Sequence, residues 1–332
     1  MKILVTGGAG FIGSNFCTYM LKKHSNYKIT VFDILTYASN PGTVLELKKN
    51  KNFSFIHADI TDKKAVEKAV KGMDAVINFA AETHVDRSIM EPGIFVDTNV
   101  KGASNLLEAA LANKIQRFIQ IGTDEVYGSI AKGRSKEGDM LDPTSPYSST
   151  KTSADLIALS YHKTFNLPVM VTRSSNNFGP YQHPEKFVPL FITNAIEGKV
   201  LPLYGDGKNV RNWIHVDDNC AGLELILHKG VAGEIYNIGG NVEIPNITVA
   251  KTIIKLLGKT DSVLKFVSDR PAHDRRYALD SAKLKALGWQ PEYNFEKALE
   301  LTVKWYRDNK AWWEALKGRK FDTYYKKLHA KR

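Results

Sequence analysis

Buried strands and helices alternate along the first half of the chain. Six apolar runs rich in β-branched residues are predicted as strands, at 2–7, 28–33, 53–59, 74–81, 117–122 and 168–174. They are almost continuously hydrophobic, which is typical of parallel strands covered on both faces. Helix-like stretches lie between them, most clearly at 99–114 and 145–165. This βαβ rhythm predicts an α/β fold with a Rossmann-type, doubly wound parallel sheet.

The rhythm breaks after residue 174. The segment 176–191 is rich in Pro, Asn and aromatic residues, shorter elements follow, and a helical region covers 294–316. We therefore predict a dinucleotide-binding domain at 1–174 and a smaller C-terminal substrate-binding α/β lobe at 175–332. The strand-like segment 233–240 is the exception, because it could return to the main sheet.

Composition and charge narrow the class of protein. The 332 residues are 43% hydrophobic and 24% charged, which is ordinary for a globular protein. The net charge of +11 suits nucleic acid, a membrane surface or an anionic ligand, but the lysines are scattered. We therefore predict no nucleic-acid and no membrane partner. Cys17 and Cys220 are too far apart in sequence for a disulfide framework or a metal pattern, so no metal is predicted.

Targeting signals do not emerge from the sequence. The chain starts directly on a predicted strand, which leaves no room for a signal peptide. No apolar run approaches the ~18 residues that a membrane helix needs. We therefore predict a soluble, cytoplasmic protein.

A glycine-rich turn follows the first predicted strand. Gly7, Gly10 and Gly13 lead into a helix, where glycines let the backbone approach a pyrophosphate and free N–H groups point at it. Asp33 ends the second predicted strand, where a carboxylate can accept hydrogen bonds from the adenosine ribose. A carboxylate would repel a 2′-phosphate, so the pattern predicts NAD. The ordinary alternative for Asp33 is a turn or a helix cap.

Tyr147 and Lys151 share one face of a predicted helix, because they are four residues apart. A Tyr phenol has a pKa of about 10, and a neighbouring ammonium favours the phenolate. We predict that Lys151 and a nicotinamide cation lower the pKa of Tyr147, which then takes a proton from a substrate hydroxyl as hydride leaves. Such a pair is common on helix surfaces, but the glycine turn upstream favours catalysis.

Three polar residues, Thr123, Asp124 and Glu125, follow the fifth predicted strand. Hydride transfer does not require two adjacent carboxylates. A solvated turn or a helix cap is the ordinary explanation for such a tripeptide. Beside Tyr147 and Lys151 we favour catalysis instead.

Motifs from residue 1 to about residue 280 resemble the dTDP-glucose 4,6-dehydratase family, in the extended branch of the short-chain dehydrogenase/reductases. The resemblance is carried by VTGGAGFIGSNF, AAETHVDRSI, GTDEVYG, SPYSSTKTSAD, SNNFGPYQHPEKFVPL, LPLYGDGKNVRNWIHVDD, YNIGG and DRPAHDRRYALD. It implies a hydro-lyase that acts on dTDP-glucose with NAD as a cofactor regenerated in each cycle. It also implies a homodimer, with the helices at 99–114 and 145–165 in a four-helix bundle.

The same resemblance implies a three-step reaction. Tyr147 deprotonates the 4-hydroxyl while NAD takes the C4 hydride, and the 4-ketone then acidifies the C5 proton. Glu125 removes that proton as Asp124 protonates the departing 6-hydroxyl, and the hydride returns to C6. Thr123 hydrogen-bonds the 4-hydroxyl. Asp124 must hold a proton near neutral pH, which requires burial or a like-charged neighbour to raise its pKa. Which acid performs which half of the elimination stays open.

Binding residues are implied by the resemblance as well. The implied cofactor residues are Gly7, Gly10, Phe11, Ile12, Gly13, Asp33, Leu35, Thr36, Asp59, Ile60, Phe79, Ala80, Ala81, Thr98, Tyr147, Lys151 and Asn177. The implied substrate residues are Thr83, Thr123, Asn176, Lys186, Phe187, Pro202, Tyr204, Arg211, Asn246, Arg270 and His273. Each has an ordinary alternative; Asn246, for example, is a natural helix N-cap.

The sequence departs from the family pattern at four positions near these motifs. Thr83 replaces Ser, Phe178 replaces Tyr, Asn212 replaces Asp and Ala272 replaces Gly. We expect Asn212 and Ala272 to lie near the nucleotide, and the methyl of Ala272 to disfavour a positive φ. Two other functions stay open: a sister 4-epimerase or a dehydratase of a UDP, GDP or CDP sugar, and a non-catalytic NAD(H) sensor.

Overall fold

The computed structural model describes residues 1–318, and within them a seven-stranded, fully parallel sheet forms the centre of the molecule. Its strand order is β10-β6-β5-β4-β1-β2-β3. The strand bounds are β1 Lys2–Thr6, β2 Lys28–Asp33, β3 Phe53–His57, β4 Ala75–Asn78, β5 Arg117–Thr123, β6 Val169–Ser174 and β10 Ile235–Ile238. The prediction of a doubly wound Rossmann-type sheet is confirmed.

Helices cover both faces of this sheet. One face packs mainly against α1 (Phe11–Lys23) and α9 (Val216–Lys229), around Phe16, Met20 and Leu223. α2 (Pro41–Leu47) lies on the same face, since its Leu47 belongs to this cluster. The other face packs against α3 Lys63–Val70, α6 Ala103–Ala112 and α7 Pro146–Phe165, around residues such as Leu106, Phe118 and Ala158. α4 (Val85–Met90) and α5 (Pro92–Phe95) pack against the start of α7. Coverage on both faces explains why the strands lack polar alternation.

Three element boundaries differ from the sequence prediction. The predicted helix 99–114 is α6 preceded by a π-helix at Val96–Gly102. The predicted strands 53–59 and 74–81 end early, as β3 at His57 and β4 at Asn78. The residues beyond both strands turn into a cavity described below, so their apolar side chains face that cavity rather than continue the ladder.

The smaller lobe contains two short sheets and a second hydrophobic core. Its strands are β7 Asn176–Phe178, β8 Leu201–Tyr204, β9 Val210–His215, β11 Val242–Pro245 and β12 Leu264–Val267. Its helices are α8 Phe187–Ile196, α10 Asn246–Leu256, α12 Phe295–Asp308 and α13 Lys310–Leu316, whereas α11 (Ala282–Ala286) places Leu284 in the core of the main sheet. Phe191, Ile253 and Tyr306 are among the residues buried in the second core. The part of the predicted lobe at 319–332 lies outside the described residues.

Three elements of the second half, β10, α9 and α11, belong to the main sheet or to its cover. β10 pairs in parallel with β6, so the segment predicted at 233–240 does enter the main sheet. α9 covers the sheet on the same face as α1. After residue 174 the chain therefore returns to the main sheet, and a domain boundary at that residue stays a prediction. Within residues 1–318 the helices are too short or too polar to cross a membrane.

Candidate active site

The glycine turn and the carboxyl ends of the strands enclose a cavity of about 630 Å³, called here the cofactor cavity. Gly7 adopts φ +67, and a Cβ on it would meet the backbone nitrogen of Ala80 at 2.5 Å. A Cβ on Gly13 would meet the carbonyl oxygen of Gly7 at 2.4 Å. Side chains at these glycines would break the turn, and the free N–H groups at the start of α1 face the cavity it forms.

Asp33 organises two loops at one end of this cavity. Its carboxylate accepts hydrogen bonds from the backbone N–H of Ala9 at 2.9 Å and of Leu35 at 2.8 Å. The Ser39 hydroxyl donates a third, at 3.1 Å. Asp33 thus performs the turn-capping role that was its ordinary alternative, and it also lines the cavity, where a ribose would lie.

Tyr147 and Lys151 lie on the first turns of α7 and are both buried. Ser145 and Ser148 form a reciprocal capping box that fixes where this helix begins. The Lys151 ammonium donates to the carbonyl oxygen of Ile121 at the end of β5. The first turns of α7 therefore place both side chains at the floor of the cofactor cavity.

The protein surroundings shift the pKa of both groups. Burial lowers the pKa of Lys151 to about 8, and the carboxylate of Asp155 opposes that shift. Burial and the negative charge of Glu125 raise the pKa of Tyr147, and a hydrogen bond with Thr123 offsets this only in part. That Lys151 and a nicotinamide cation together lower the pKa of Tyr147 stays a prediction.

The acid pair begins a single 3₁₀ turn, Asp124–Tyr127, directly after β5. Thr123 caps this turn, because its hydroxyl accepts the backbone N–H of Glu125 at 3.3 Å. The capping explanation therefore applies to Thr123, whereas a solvated turn does not apply to Asp124, which is buried. The Asp124 oxygen Oδ2 has no hydrogen-bond partner among residues 1–318.

Burial and the neighbouring Glu125 raise the pKa of Asp124 to about 8. This carboxyl is therefore mostly protonated at neutral pH and can donate a proton. Burial also raises the pKa of Glu125, and the positive charges of Arg270, Arg211 and Lys186 oppose part of that rise. Two adjacent carboxyls in unlike environments suit one acid and one base.

A second, smaller cavity of about 210 Å³ opens beside the acid pair and is called here the cationic cavity. Lys186, Arg211 and Arg270 line it; Arg211 is buried in its wall, and Lys186 is half-buried. Arg211 is held by its own contacts, donating to the carbonyl oxygen of Asp274 at 2.9 Å. Three cations around one cavity favour a diphosphate or another multiply charged anion.

Several buried amide oxygens line the two cavities without a hydrogen-bond partner among the described residues. They belong to Asn176, Asn177 and Asn246. Asn246 is the first residue of α10, and its side chain makes no capping hydrogen bond, so the N-cap alternative is wrong. Buried polar atoms are usually paired, so these oxygens indicate hydrogen bonds to a bound molecule.

The structure brings nearly all predicted site residues to the two cavities. The predicted residues that line the cofactor cavity are Gly7, Gly10, Phe11, Ile12, Gly13, Asp33, Thr36, Asp59, Ile60, Phe79, Ala80, Ala81, Thr83, Thr98, Thr123, Asp124, Glu125, Tyr147, Lys151, Asn176, Asn177 and Lys186. Those that line the cationic cavity are Thr83, Glu125, Asn176, Asn177, Lys186, Phe187, Pro202, Tyr204, Arg211, Asn246, Arg270 and His273. Leu35 lines neither cavity. Its backbone adopts φ +56, and its N–H donates to the Asp33 carboxylate.

Two of the four departures from the family pattern lie away from the cavities. Asn212 is fully buried and donates to the carbonyl oxygens of Gly240 and Val242, so the prediction that it lies near the nucleotide is wrong. Phe178 packs edge-on against Trp213 in the lobe core. Ala272 adopts φ +51 despite its methyl group, next to the cavity residue His273.

Sequence reasoning missed several residues of the site. Gln182 and Glu185 border both cavities, although neither was predicted. The signal was present, since both lie in the segment that ends at the predicted Lys186. Buried Asp155 was also missed; it lies four residues after Lys151 and pairs with buried Arg173 at 3.1 Å.

A dinucleotide-type cavity that holds a Tyr-Lys pair and opens beside a cationic cavity defines an extended short-chain dehydrogenase/reductase. The family model described as GDP-mannose 4,6 dehydratase matches residues 4–302, and the chain belongs to that family.

Individual relatives narrow this further. The chain is 50% identical to the low-salt glycan biosynthesis protein Agl12 of Haloferax volcanii, over 92% of this chain and 98% of that protein. It is 48% identical to the dTDP-glucose 4,6-dehydratase of Streptomyces niveus, over 96% of each. Among solved structures, DesIV, the dTDP-glucose 4,6-dehydratase of Streptomyces venezuelae with NAD bound, superposes with a TM-score of 0.93. The two sequences are 46% identical, and the match covers 95% of this chain and all of DesIV.

Proposed function

We propose that this chain converts dTDP-glucose into dTDP-4-keto-6-deoxyglucose with NAD as a regenerated cofactor. The observation that carries the proposal is the acid pair: a protonated Asp124 and a charge-stabilised Glu125 lie where the two cavities meet. The similarity to the curated dTDP-glucose 4,6-dehydratases supports the same reaction. Elimination of water across C5 and C6 requires an acid and a base on adjacent carbons, which this pair supplies.

The residues of the cofactor cavity fit NAD. The glycine turn and the start of α1 would hold the pyrophosphate, Asp33 the adenosine ribose, and Tyr147 with Lys151 the nicotinamide end. When bound, NAD supplies a hydride acceptor that later returns the hydride to the sugar, together with a positive ring. That positive charge would offset the burial and the Glu125 charge that raise the pKa of Tyr147.

The chain's own residues then manage three protons. Tyr147 takes the proton of the 4-hydroxyl, aided by its hydrogen bond with Thr123. Glu125 takes the C5 proton, because Arg270, Arg211 and Lys186 favour its ionised form. Asp124 donates a proton to the departing 6-hydroxyl, because burial keeps it protonated. A proton returned to C5 as the hydride reaches C6 would complete the cycle, so that one water is released and the overall redox state is unchanged.

Direct incubation tests the proposal. Purified protein and dTDP-glucose are mixed, and the nucleotide sugars are followed by mass spectrometry. We expect a product lighter by one water, without net formation of reduced cofactor. An isomer of unchanged mass would indicate a 4-epimerase instead. Turnover of UDP, GDP or CDP sugars in place of dTDP-glucose would indicate a sister dehydratase, and bound NAD without any turnover would indicate a sensor.

We also propose that two copies of the chain associate through a four-helix bundle. Leu156 on α7 is 52% exposed, and Ile94 and Val96, just before α6, are 48% and 51% exposed. Exposed apolar side chains on neighbouring helices favour association. Light scattering after gel filtration should give twice the mass of one chain, and Leu156→Glu should shift it towards the monomer. A dimer that persists in Leu156→Glu contradicts this interface.

A further inference from the structure

A cluster of four side chains connects the loop at the adenosine end of the cofactor cavity with the segment that borders both cavities. The loop runs from residue 34 to residue 40, and Ile34, Thr36, Ala38 and Ser39 line the cofactor cavity. Between them, the half-buried Tyr37 contacts residues far away in sequence.

Tyr37 makes contacts of three kinds with its neighbours. The guanidinium of Arg87, on α4, stacks over the Tyr37 ring at 3.6 Å from its centre. The Tyr37 hydroxyl hydrogen-bonds the carboxylate of Glu185. The ring of His183 meets the Tyr37 ring edge-on, with centres 5.8 Å apart. A stacked cation and a hydrogen bond to a buried carboxylate are each stronger than a typical surface contact.

The partners of Tyr37 are themselves held in place. Arg87 donates to Glu185 at 3.3 Å, which closes a triangle of Tyr37, Arg87 and Glu185. Glu185 is buried, and its backbone N–H donates to His183. The carbonyl oxygen of Gln182, in the same segment, accepts the hydroxyl of Tyr306 on α12, in the core of the lobe. The triangle therefore ties the adenosine loop to the lobe.

We propose that Tyr37, Arg87 and Glu185 form a clamp that closes the adenosine loop over the cofactor and slows its release. The inference rests on the proposed function in taking NAD as the occupant of the cofactor cavity. A cofactor regenerated in every cycle gains nothing from dissociation between turnovers. Release requires the loop to move, and the loop moves only when the contacts of Tyr37 break. Tyr37, Arg87 and Glu185 are thus positioning residues that do not touch the reacting atoms.

Cofactor release measures the clamp without any sugar substrate. The protein is loaded with NADH, excess NAD is added, and the loss of NADH fluorescence gives the dissociation rate. We expect Tyr37→Ala to release NADH about 10- to 100-fold faster, since it loses both the stacking and the hydrogen bond. Tyr37→Phe keeps the ring under Arg87 and should accelerate release only several-fold. Glu185→Gln should resemble Tyr37→Phe.

Tyr19 provides a matched control far from both cavities. Lys23 lies over its ring at 5.2 Å, and its hydroxyl donates to Glu224 at 3.3 Å, so it has the same kinds of partners. Tyr19→Ala should release NADH at the wild-type rate. Thermal unfolding of every variant separates loss of the clamp from loss of the fold, and Tyr37→Phe serves if Tyr37→Ala does not fold.

The outcomes distinguish the clamp from the proposed function. Release rates within twofold of wild type in Tyr37→Phe, Tyr37→Ala and Glu185→Gln would overturn the clamp, whatever the dehydratase assay shows. Fast release in Tyr37→Ala together with no turnover of dTDP-glucose by the wild type would retain the clamp and reject the proposed function. Equal acceleration in Tyr19→Ala would assign the effect to general destabilisation and would also overturn the clamp.

Discussion

The two cavities achieve binding in opposite ways. The cofactor cavity lies along the carboxyl ends of the main-sheet strands and is centred on a glycine turn and a helix start, with backbone groups and a carboxylate at Asp33. The cationic cavity is assembled from side chains at distant points in the chain, with Lys186, Arg211 and Arg270 as its charges. The cofactor cavity should therefore select its ligand mainly by shape, and the cationic cavity mainly by charge.

The proposed catalytic acids lie where the two cavities meet. Glu125 borders both cavities; burial raises its pKa, and the three cations oppose that rise. Asp124 borders only the cofactor cavity, and Arg211 is the one cation that opposes the rise of its pKa to about 8. Because the two cavities differ in charge, the two neighbouring carboxyls differ in their electrostatic surroundings.

The largest expected effect comes from removing the base at this junction. Glu125→Gln keeps the shape but cannot take the C5 proton, so we expect dehydration to fall by roughly 10²- to 10⁴-fold. Oxidation at C4 needs Tyr147 and not Glu125, so reduced cofactor should accumulate. Absorbance of the reduced cofactor and mass spectrometry of the sugar measure both steps. Dehydration at the wild-type rate would contradict the role of Glu125 as the base.

The next largest effect is expected from removing a positive charge from the cationic cavity. Arg270→Gln removes one cation from the cationic cavity, and a charged hydrogen bond contributes about 1.5–3 kcal/mol, so KM for dTDP-glucose should rise roughly 10- to 100-fold. Affinity for NADH should not change. Arg275→Gln is the matched control, because Arg275 is exposed and pairs with Asp206 outside the cavity. Equal changes in both affinities would contradict the division of roles.

The complementary change addresses the cofactor cavity. Asp33→Asn weakens a group that accepts three hydrogen bonds from the surrounding loops and removes the charge expected to repel a 2′-phosphate. We expect NAD to bind about 10-fold more weakly, the cost of roughly one hydrogen bond, and discrimination against NADP to decrease. Equilibrium titration with NAD, NADP and thymidine diphosphate measures all three affinities. Unchanged NAD affinity would show that Asp33 acts on the loops alone.

The same contrast explains what could be predicted from the sequence. The strands of the main sheet, the glycine turn and the Tyr147–Lys151 pair are local patterns, and the structure contains each of them. Glu185 and Asp155 were missed because their roles arise from contacts with residues far away in sequence, Arg87 and Arg173. The spacing shows only that Lys151 is near Tyr147, whereas the burial and the charge of Glu125 that raise the pKa of Tyr147 are properties of the folded site.

The last expected effect is one of stability, and it is a gain rather than a loss. Burial raises the pKa of Asp124 from an ordinary 3.8 to about 8. The folded state therefore holds a proton that the unfolded state releases, so this carboxyl favours folding below about pH 4 and loses that contribution as pH rises through about 8. Asp124→Asn removes the titration. We expect the variant to match wild type in stability near pH 4 and to exceed it near pH 8.5 by on the order of a few kcal/mol.

Thermal or urea unfolding of both proteins at several pH values measures this difference. Asp261→Asn is the control for replacing an aspartate by asparagine, because Asp261 is 64% exposed. Asp124→Asn should also lose dehydration, since an amide cannot donate the proton that the departing hydroxyl needs. A variant that is both more stable and inactive would show that the protein sacrifices stability at this carboxyl for its chemistry. A stability difference that is flat with pH would mean that Asp124 ionises normally, and the acid role would then pass to another group.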